Sequence, residues 1–198
     1  MRSKSGLGPV ADMEVLEAIR TRRSVRKFSP EPVPEEALRA VLEAARWAPS
    51  WANTQCWEIV VVKDPAKKKA LSDLLVPERN PAKEAVAQAP VLLAVCGKKG
   101  ISGFYKGKPV TDKGDWLMFD VALAVQNMCL VAHSLGLGTV IVGALDHKRA
   151  SEVLKLPEGV ELVVLIPLGK PAHEPKTPPR KELAEFVFSE EYGKPYFA

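Results

Sequence analysis

Arg22-Arg23-Ser24-Val25-Arg26-Lys27-Phe28 puts four cations within six residues, around one hydroxyl and ahead of an aromatic ring. The run before it has apolar residues at Met13, Val15, Leu16, Ala18 and Ile19, a helical spacing. If that helix frays near Thr21, the arginines lie on the chain leaving it, where side chains and backbone donors can converge on one anion. A phosphate is the natural guest, since the planar guanidinium donates two parallel charge-assisted bonds. Taken alone, the same residues also describe a solvated basic helix end favoured by the helix dipole.

The rest of the chain narrows the classes. With 198 residues, 46% hydrophobic and 26% charged, it can build one full core or complete a core on a partner. The net charge of +4 is mild and scattered, apart from the opening segment and Lys67-Lys68-Lys69, which reads as the outer face of a helix. That argues against a nucleic-acid partner. Three distant cysteines, Cys56, Cys96 and Cys129, sit in apolar surroundings and point to a reduced, cytoplasmic protein. Residues 1–12 lack the apolar stretch of a signal peptide and read as a flexible leader. No charged residue lies between Asp120 and Asp146, a span long enough for a bilayer. Gln126, Asn127, His133 and Ser134 interrupt it, however, and Gly136-Leu137-Gly138 divides it, so it reads as a buried helix followed by a buried strand, with no membrane involved.

In order along the chain, three prolines keep Ser29 to Pro34 extended, and a helix with stripe Ala37, Leu38, Val41, Leu42, Ala45 and Trp47 follows, ending by Pro49. Pro49-Ser50-Trp51-Ala52-Asn53-Thr54-Gln55-Cys56-Trp57 then sets amides and hydroxyls beside two indoles. A pocket for a planar ligand with polar edges has this mixture; so does a surface loop whose tryptophans pack inward. Strands are predicted over Glu58–Val62, Val91–Val95, Thr139–Ala144 and Val160–Leu168. Helices are predicted from Pro65 to Leu75 and over Lys83–Gln88, Asp115–Leu135 and His147–Leu154, with a short helical patch over Glu182–Phe188. The five glycines between Gly97 and Gly114 predict an exposed, mobile loop, suited to a lid or a partner contact. The order implies one α+β domain over 13–187, with 188–198 a tail that packs on the surface or on a second subunit.

Several motifs fail on inspection. Gly136-Leu137-Gly138 follows a helix and precedes a strand, the reverse of a dinucleotide fingerprint. The glycines around Gly103–Lys108 have the wrong spacing for a phosphate-binding P-loop. His133, His147 and His173 lack metal-ligand spacing, so no metal is expected. No nucleophile and base can be paired, and an enzyme of this sequence would borrow its reactive group.

Taken together, the segment Arg22–Phe28, the segment Pro49–Trp57, Gly136-Leu137-Gly138-Thr139 up to Gly143, and Pro179-Arg180 resemble the FMN-dependent nitroreductase family, in the family's order and over about Met13 to Val187. The resemblance implies a central, mixed but mainly antiparallel sheet flanked by helices in an intertwined homodimer. It implies FMN as cofactor and NADH or NADPH as transient donor. Arg22 and Ser24, with Arg23 beside them, would hold the FMN phosphate, and Arg180 would be a second clamp. Arg26 would lie near the pyrimidine edge of the flavin, where a cation stabilises the charge developing on hydride uptake. Pro49, Ser50, Trp51, Asn53 and Gln55 would face the flavin across the subunit interface. Val142 and Gly143 would offer backbone donors toward flavin N5, which carries the chemistry without a catalytic side chain. The implied activity is hydride transfer to an electron-poor small molecule such as a nitroaromatic or quinone. A reductive dehalogenase, a flavin-modifying enzyme and a non-catalytic flavin-binding sensor remain as alternatives. Two departures stand out: Cys56 replaces a usual proline, and Trp51 a usual small residue.

Overall fold

The structure, a computed structural model, describes residues 13–197, so the leader read over 1–12 lies outside the described residues. Its elements are α1 (Val15–Thr21), α2 (Glu35–Arg46), β1 (Trp57–Val62), α3 (Pro65–Asp73), α4 (Lys83–Gln88), β2 (Val91–Lys98), β3 (Phe104–Tyr105), β4 (Lys108–Pro109), α5 (Leu117–Ser134), β5 (Gly138–Thr139), α6 (His147–Leu154) and β6 (Val160–Gly169). A four-stranded antiparallel sheet runs in the order β1-β2-β6-β5. A parallel bridge between Ser24 and Thr139 makes it mixed.

The near-continuous apolar runs of β2 and β6 follow from their central place, because alternate side chains face opposite sides and both sides are covered. Val91, Leu93 and Val95 join Ile166 and Leu168 against α2 and α5. Leu92, Ala94 and Cys96 join Leu162 and Leu165 against α3, α4 and α6. All three thiols are buried, and burial pushes Cys56 up to about 11 and Cys96 up to about 12. Helix α5 is long and apolar enough to cross a membrane by composition alone. Here it is a core helix that buries Leu117, Val121, Val125 and Met128.

Two expectations are corrected. The Thr139–Ala144 strand shrinks to Gly138–Thr139, with an isolated bridge from Val142 to Leu165. Continuing the register of Gly138 with Gly169 and Thr139 with Leu168 sets Val140 opposite Pro167, which has no N–H to give, so the ladder breaks there. The Gly97–Gly114 loop is partly buried: Gly97, Ser102 and Gly103 lie inside, and β3 and β4 form a small hairpin. A bond from the Gly100 N–H to the Asp115 carboxylate (2.7 Å) ties it to the entry of α5. The apolar stripe of α1 is largely uncovered in the protomer, with only Ala18 buried while Val15 and Leu16 are 68% and 65% exposed.

Gly138 marks the tightest approach in the sheet edge, since a Cβ there would lie 2.6 Å from the Val25 side chain. Gly138→Ala is expected to lower stability by ~1–3 kcal/mol in urea denaturation, the usual range for overpacking. Gly143→Ala, whose Cβ would meet Val164 at 3.7 Å, is expected to cost less.

Candidate functional site

The chain leaves α1 at Arg22, whose N–H still donates to the Ala18 carbonyl (3.0 Å), and then becomes extended. The Val25 N–H donates to the Thr139 carbonyl at 2.9 Å, and Ala172 N–H donates to the Lys27 carbonyl at 3.0 Å. The arginine segment is therefore stitched between β5 and the chain that follows β6. Extended backbone alternates its side chains, and Val25 is buried against Gly138. Arg22, Arg23, Ser24 and Arg26 line a cavity of about 480 Å³, and Arg180 reaches it from the other end of the chain. These are the convergent donors that a phosphate monoester requires.

Next to it lies a cavity of about 720 Å³ that shares Arg22, Arg23, His173 and Thr177 and adds Thr21, His133 and Lys170. The Thr21 hydroxyl donates to the Glu17 carbonyl at 2.7 Å, so its 2.7 Å contact with His133 Nε2 is donated by the ring. Burial, then the charges of Arg22 and Arg23, holds the His133 pKa below the ordinary imidazole value. Burial is the larger cause, and the smaller contribution of the two guanidinium groups is the part that an anion placed beside them would offset. Arg23 itself is spent elsewhere. Its Nη1 donates to the Arg20 and Arg22 carbonyls at 2.6 and 2.8 Å, and its Nε donates to Thr177 Oγ1 at 3.1 Å.

The remaining predicted residues do not join this cavity within one protomer. Pro49, Asn53 and Gln55 line a cavity beside Arg46 and Trp47, while Pro49, Ser50 and Trp51 line another beside Trp116 and Phe119. Trp51 leans on Trp116 with ring centroids 5.3 Å apart, so the indole packs inward on aromatic surface. Val142 exchanges both of its backbone bonds with Leu165 at 2.9 Å, which leaves its N–H unable to serve a ligand. Gly143 is exposed, and its carbonyl accepts from Leu145 N–H and from His147 Nε2.

Asp120, a single acid in the apolar face of α5, is the main residue that sequence reading missed. It is 1% exposed. Its oxygens accept from the Ser102 hydroxyl (2.6 Å), the Trp51 N–H (3.0 and 3.1 Å) and, at longer range, Thr54 Oγ1 (3.5 Å) and the Cys56 thiol (3.9 Å). The loop it grips holds Ala52, Asn53 and Gln55 at φ of 45°, 57° and 48°. A left-handed non-glycine residue costs roughly 1–2 kcal/mol, so the buried carboxylate offsets strain that local sequence alone would relax. An isolated acid inside a helical apolar stripe was the available signal, because a buried charge must be bonded on every side.

An α+β sheet whose edge carries a cationic cavity and whose long helix anchors a strained aromatic loop defines the class. The model of the Nitroreductase family matches residues 19–170, and the chain belongs to that family. A Methanothermobacter thermautotrophicus protein named for NADH dehydrogenase/NAD(P)H nitroreductase activity is 37% identical over 174 residues, covering 86% of this chain and 84% of that one. The FMN reductase [NAD(P)H] of Bacillus subtilis is 31% identical over 84% of this chain and 70% of its own. Among solved structures, the NADPH:FMN oxidoreductase of Vibrio harveyi complexed with NAD+ superposes with a TM-score of 0.78 at 28% identity, covering 91% of this chain and 78% of that one.

Asp120→Asn turns an acceptor oxygen into an NH2 that faces donors, and is expected to lower stability by ~1.5–3 kcal/mol in urea denaturation, the range for bonds to a charged group. His133 has a depressed pKa in the folded state, so its contribution to stability is lost as pH falls from the unfolded value of about 6.5 toward the folded one. Followed by NMR, its titration midpoint is expected to lie below about 6.5 and to rise when inorganic phosphate is added. A midpoint indifferent to phosphate would remove the case for an anion site beside it.

Proposed function

We propose that the protein is an FMN-dependent oxidoreductase that passes hydride from NADH or NADPH, by way of the flavin, to an electron-poor small molecule such as a nitroaromatic or quinone. The observation that carries this reading is the meeting of Arg22, Ser24 and Arg26 with Arg180 around one cavity. Residues separated by most of the chain's length gain nothing by collecting four like-charged or polar groups unless an anion is shared among them. Bound FMN would supply the redox chemistry, which no side chain here can perform.

The chain's own residues bind and orient. In this reading Arg22 and Ser24 hold the phosphate, with Arg180 as the second clamp. Arg26, exposed at the outer end of the same extended segment, lends positive charge to the ring system. The Gly143 amide, rather than that of Val142, is the backbone donor available at the sheet edge. The polar loop from Pro49 to Gln55 belongs to a flavin bound mainly by a second copy of the chain.

That second copy is part of the proposal. Val15, Leu16 and Ile19 on α1, Met118 and Phe119 on α5, and Ile141 beyond β5 are large apolar side chains exposed in the protomer. So are Tyr192, Tyr196 and Phe197 of the tail, which we assign to packing on the partner. Uncovered apolar surface on this scale marks an interface. A cytoplasmic site of action belongs to the same reading and rests on three buried free thiols.

The purified protein is expected to be yellow, and anaerobic mixing with NADH or NADPH is expected to bleach the flavin absorbance. Colour that persists with both donors would instead mark a flavin-binding module without turnover. Arg22→Ala is expected to weaken FMN retention about 10- to 100-fold, the worth of a charge-assisted bond. Sedimentation velocity should give a dimer. Competition among a nitroaromatic, a quinone and a haloaromatic for the reduced protein selects the acceptor.

A further inference from the structure

Arg180 can act as a clamp only if something holds it over the cavity, and the chain around it has almost no attachments. The last backbone bond that ties this stretch to the body is the one from Ala172 to Lys27, and the next backbone bond along the chain is the local turn that begins at Glu182. Between them, residues 173–181 form an almost wholly exposed run in which no backbone group is hydrogen-bonded to the rest of the described chain. Within it, Arg180 Nη1 donates only to its neighbour's carbonyl, that of Pro179. Among the described residues, the one hydrogen bond from the run to the body is from Arg23 Nε to Thr177 Oγ1, at 3.1 Å.

Arg23 is well placed to be the fixed end of that bond. It leaves the chain between the two residues assigned to the phosphate. Its other bonds, to the Arg20 and Arg22 carbonyls, fasten the guanidinium against the final turn of α1. The moving end is stiffened by sequence. Pro178 and Pro179 separate Thr177 from Arg180, each fixing its own φ and biasing its predecessor toward extended backbone. In a polyproline helix there are three residues per turn, so positions three apart share a side. Thr177 and Arg180 accordingly line the same cavity.

We propose that Arg23 acts as a positioning residue: by gripping Thr177 it sets a two-proline lever that delivers Arg180 to the cavity. Arg22 and Ser24 face the anion directly, while the residue between them recruits the distant clamp. This inference rests on the FMN reading above, and deepens it by making the tail's contribution depend on one neutral hydroxyl.

Thr177→Val tests it, because the change is nearly isosteric, lies on an exposed segment and removes no charge. FMN release from the holoprotein on dilution is followed by recovery of free-flavin fluorescence for the wild type, Thr177→Val, Arg180→Ala and the double variant. Arg180→Ala is expected to weaken retention about 10-fold or more, the worth of a charge-assisted bond. Thr177→Val is expected to weaken it about 5-fold in the wild type and less than about 2-fold beside Arg180→Ala, since coupled residues are not additive. Thr177→Val should also flatten the salt dependence of release although it alters no charge, a change that lost packing would not produce. Equal effects of Thr177→Val in both backgrounds, or none where Arg180→Ala has one, overturn the lever while leaving the clamp in place. No effect of Arg180→Ala overturns the clamp, and the lever with it.

Discussion

The seam between Val25 and Thr139 carries the arrangement of the molecule. One backbone bond of 2.9 Å fastens the chain leaving α1 along the edge strand β5, and Gly138 permits the approach because a side chain there would collide with Val25. Once the seam is closed, Val25 goes inward, and Arg22, Ser24 and Arg26, with Arg23 beside them, line the cavity. The chain that emerges from β6 pairs with the other end of the same segment through Phe28 and Pro171, so the tail starts beside the arginines it later rejoins. A basic cluster thus becomes directed by sheet-edge geometry just past the end of α1.

A second constraint works at the opposite side of α5. Asp120 is buried with hydroxyl, thiol and amide donors around it, and among its described hydrogen-bond partners there is no cation. Burying a carboxylate on such terms is costly unless every oxygen is bonded. Its return is conformational: the hydroxyl of Ser102, just before the small hairpin, and the backbone of Trp51 in the strained loop are held by one group. The elevated pKa of Cys56, due to burial first and the nearby Asp120 charge second, keeps that thiol neutral and able to act as a weak donor. This places the cysteine that stands where the family usually has proline within the same network.

The separation of the two constraints explains why the residues of the cationic segment and those of the Pro49–Gln55 loop line different cavities. The seam organises a cationic cavity, whereas the Asp120 network organises a polar and aromatic loop lining different cavities. The loop cavities border Trp47 and Phe119, exposed apolar side chains of the kind that soluble chains usually cover.

Much of this was legible from residue order. Helical periodicity located α2, α4 and α6 closely, and β-branched runs located β1, β2 and β6, because buried faces demand a repeating apolar pattern. The cationic segment was legible as a charge cluster and Arg180 through the family resemblance, and the structure sets both beside one cavity. What sequence could not express was pairing across distance. That Pro167 sits opposite Val140 and breaks the edge strand, that Asp120 meets Ser102 and Trp51, and that Arg23 meets Thr177 are facts about residues brought together only by folding. Residue order determined which groups were available and which faces were apolar; the tertiary structure decided which hydrogen-bond partner each buried or tethering polar group received, because that choice depends on geometry that no local pattern encodes.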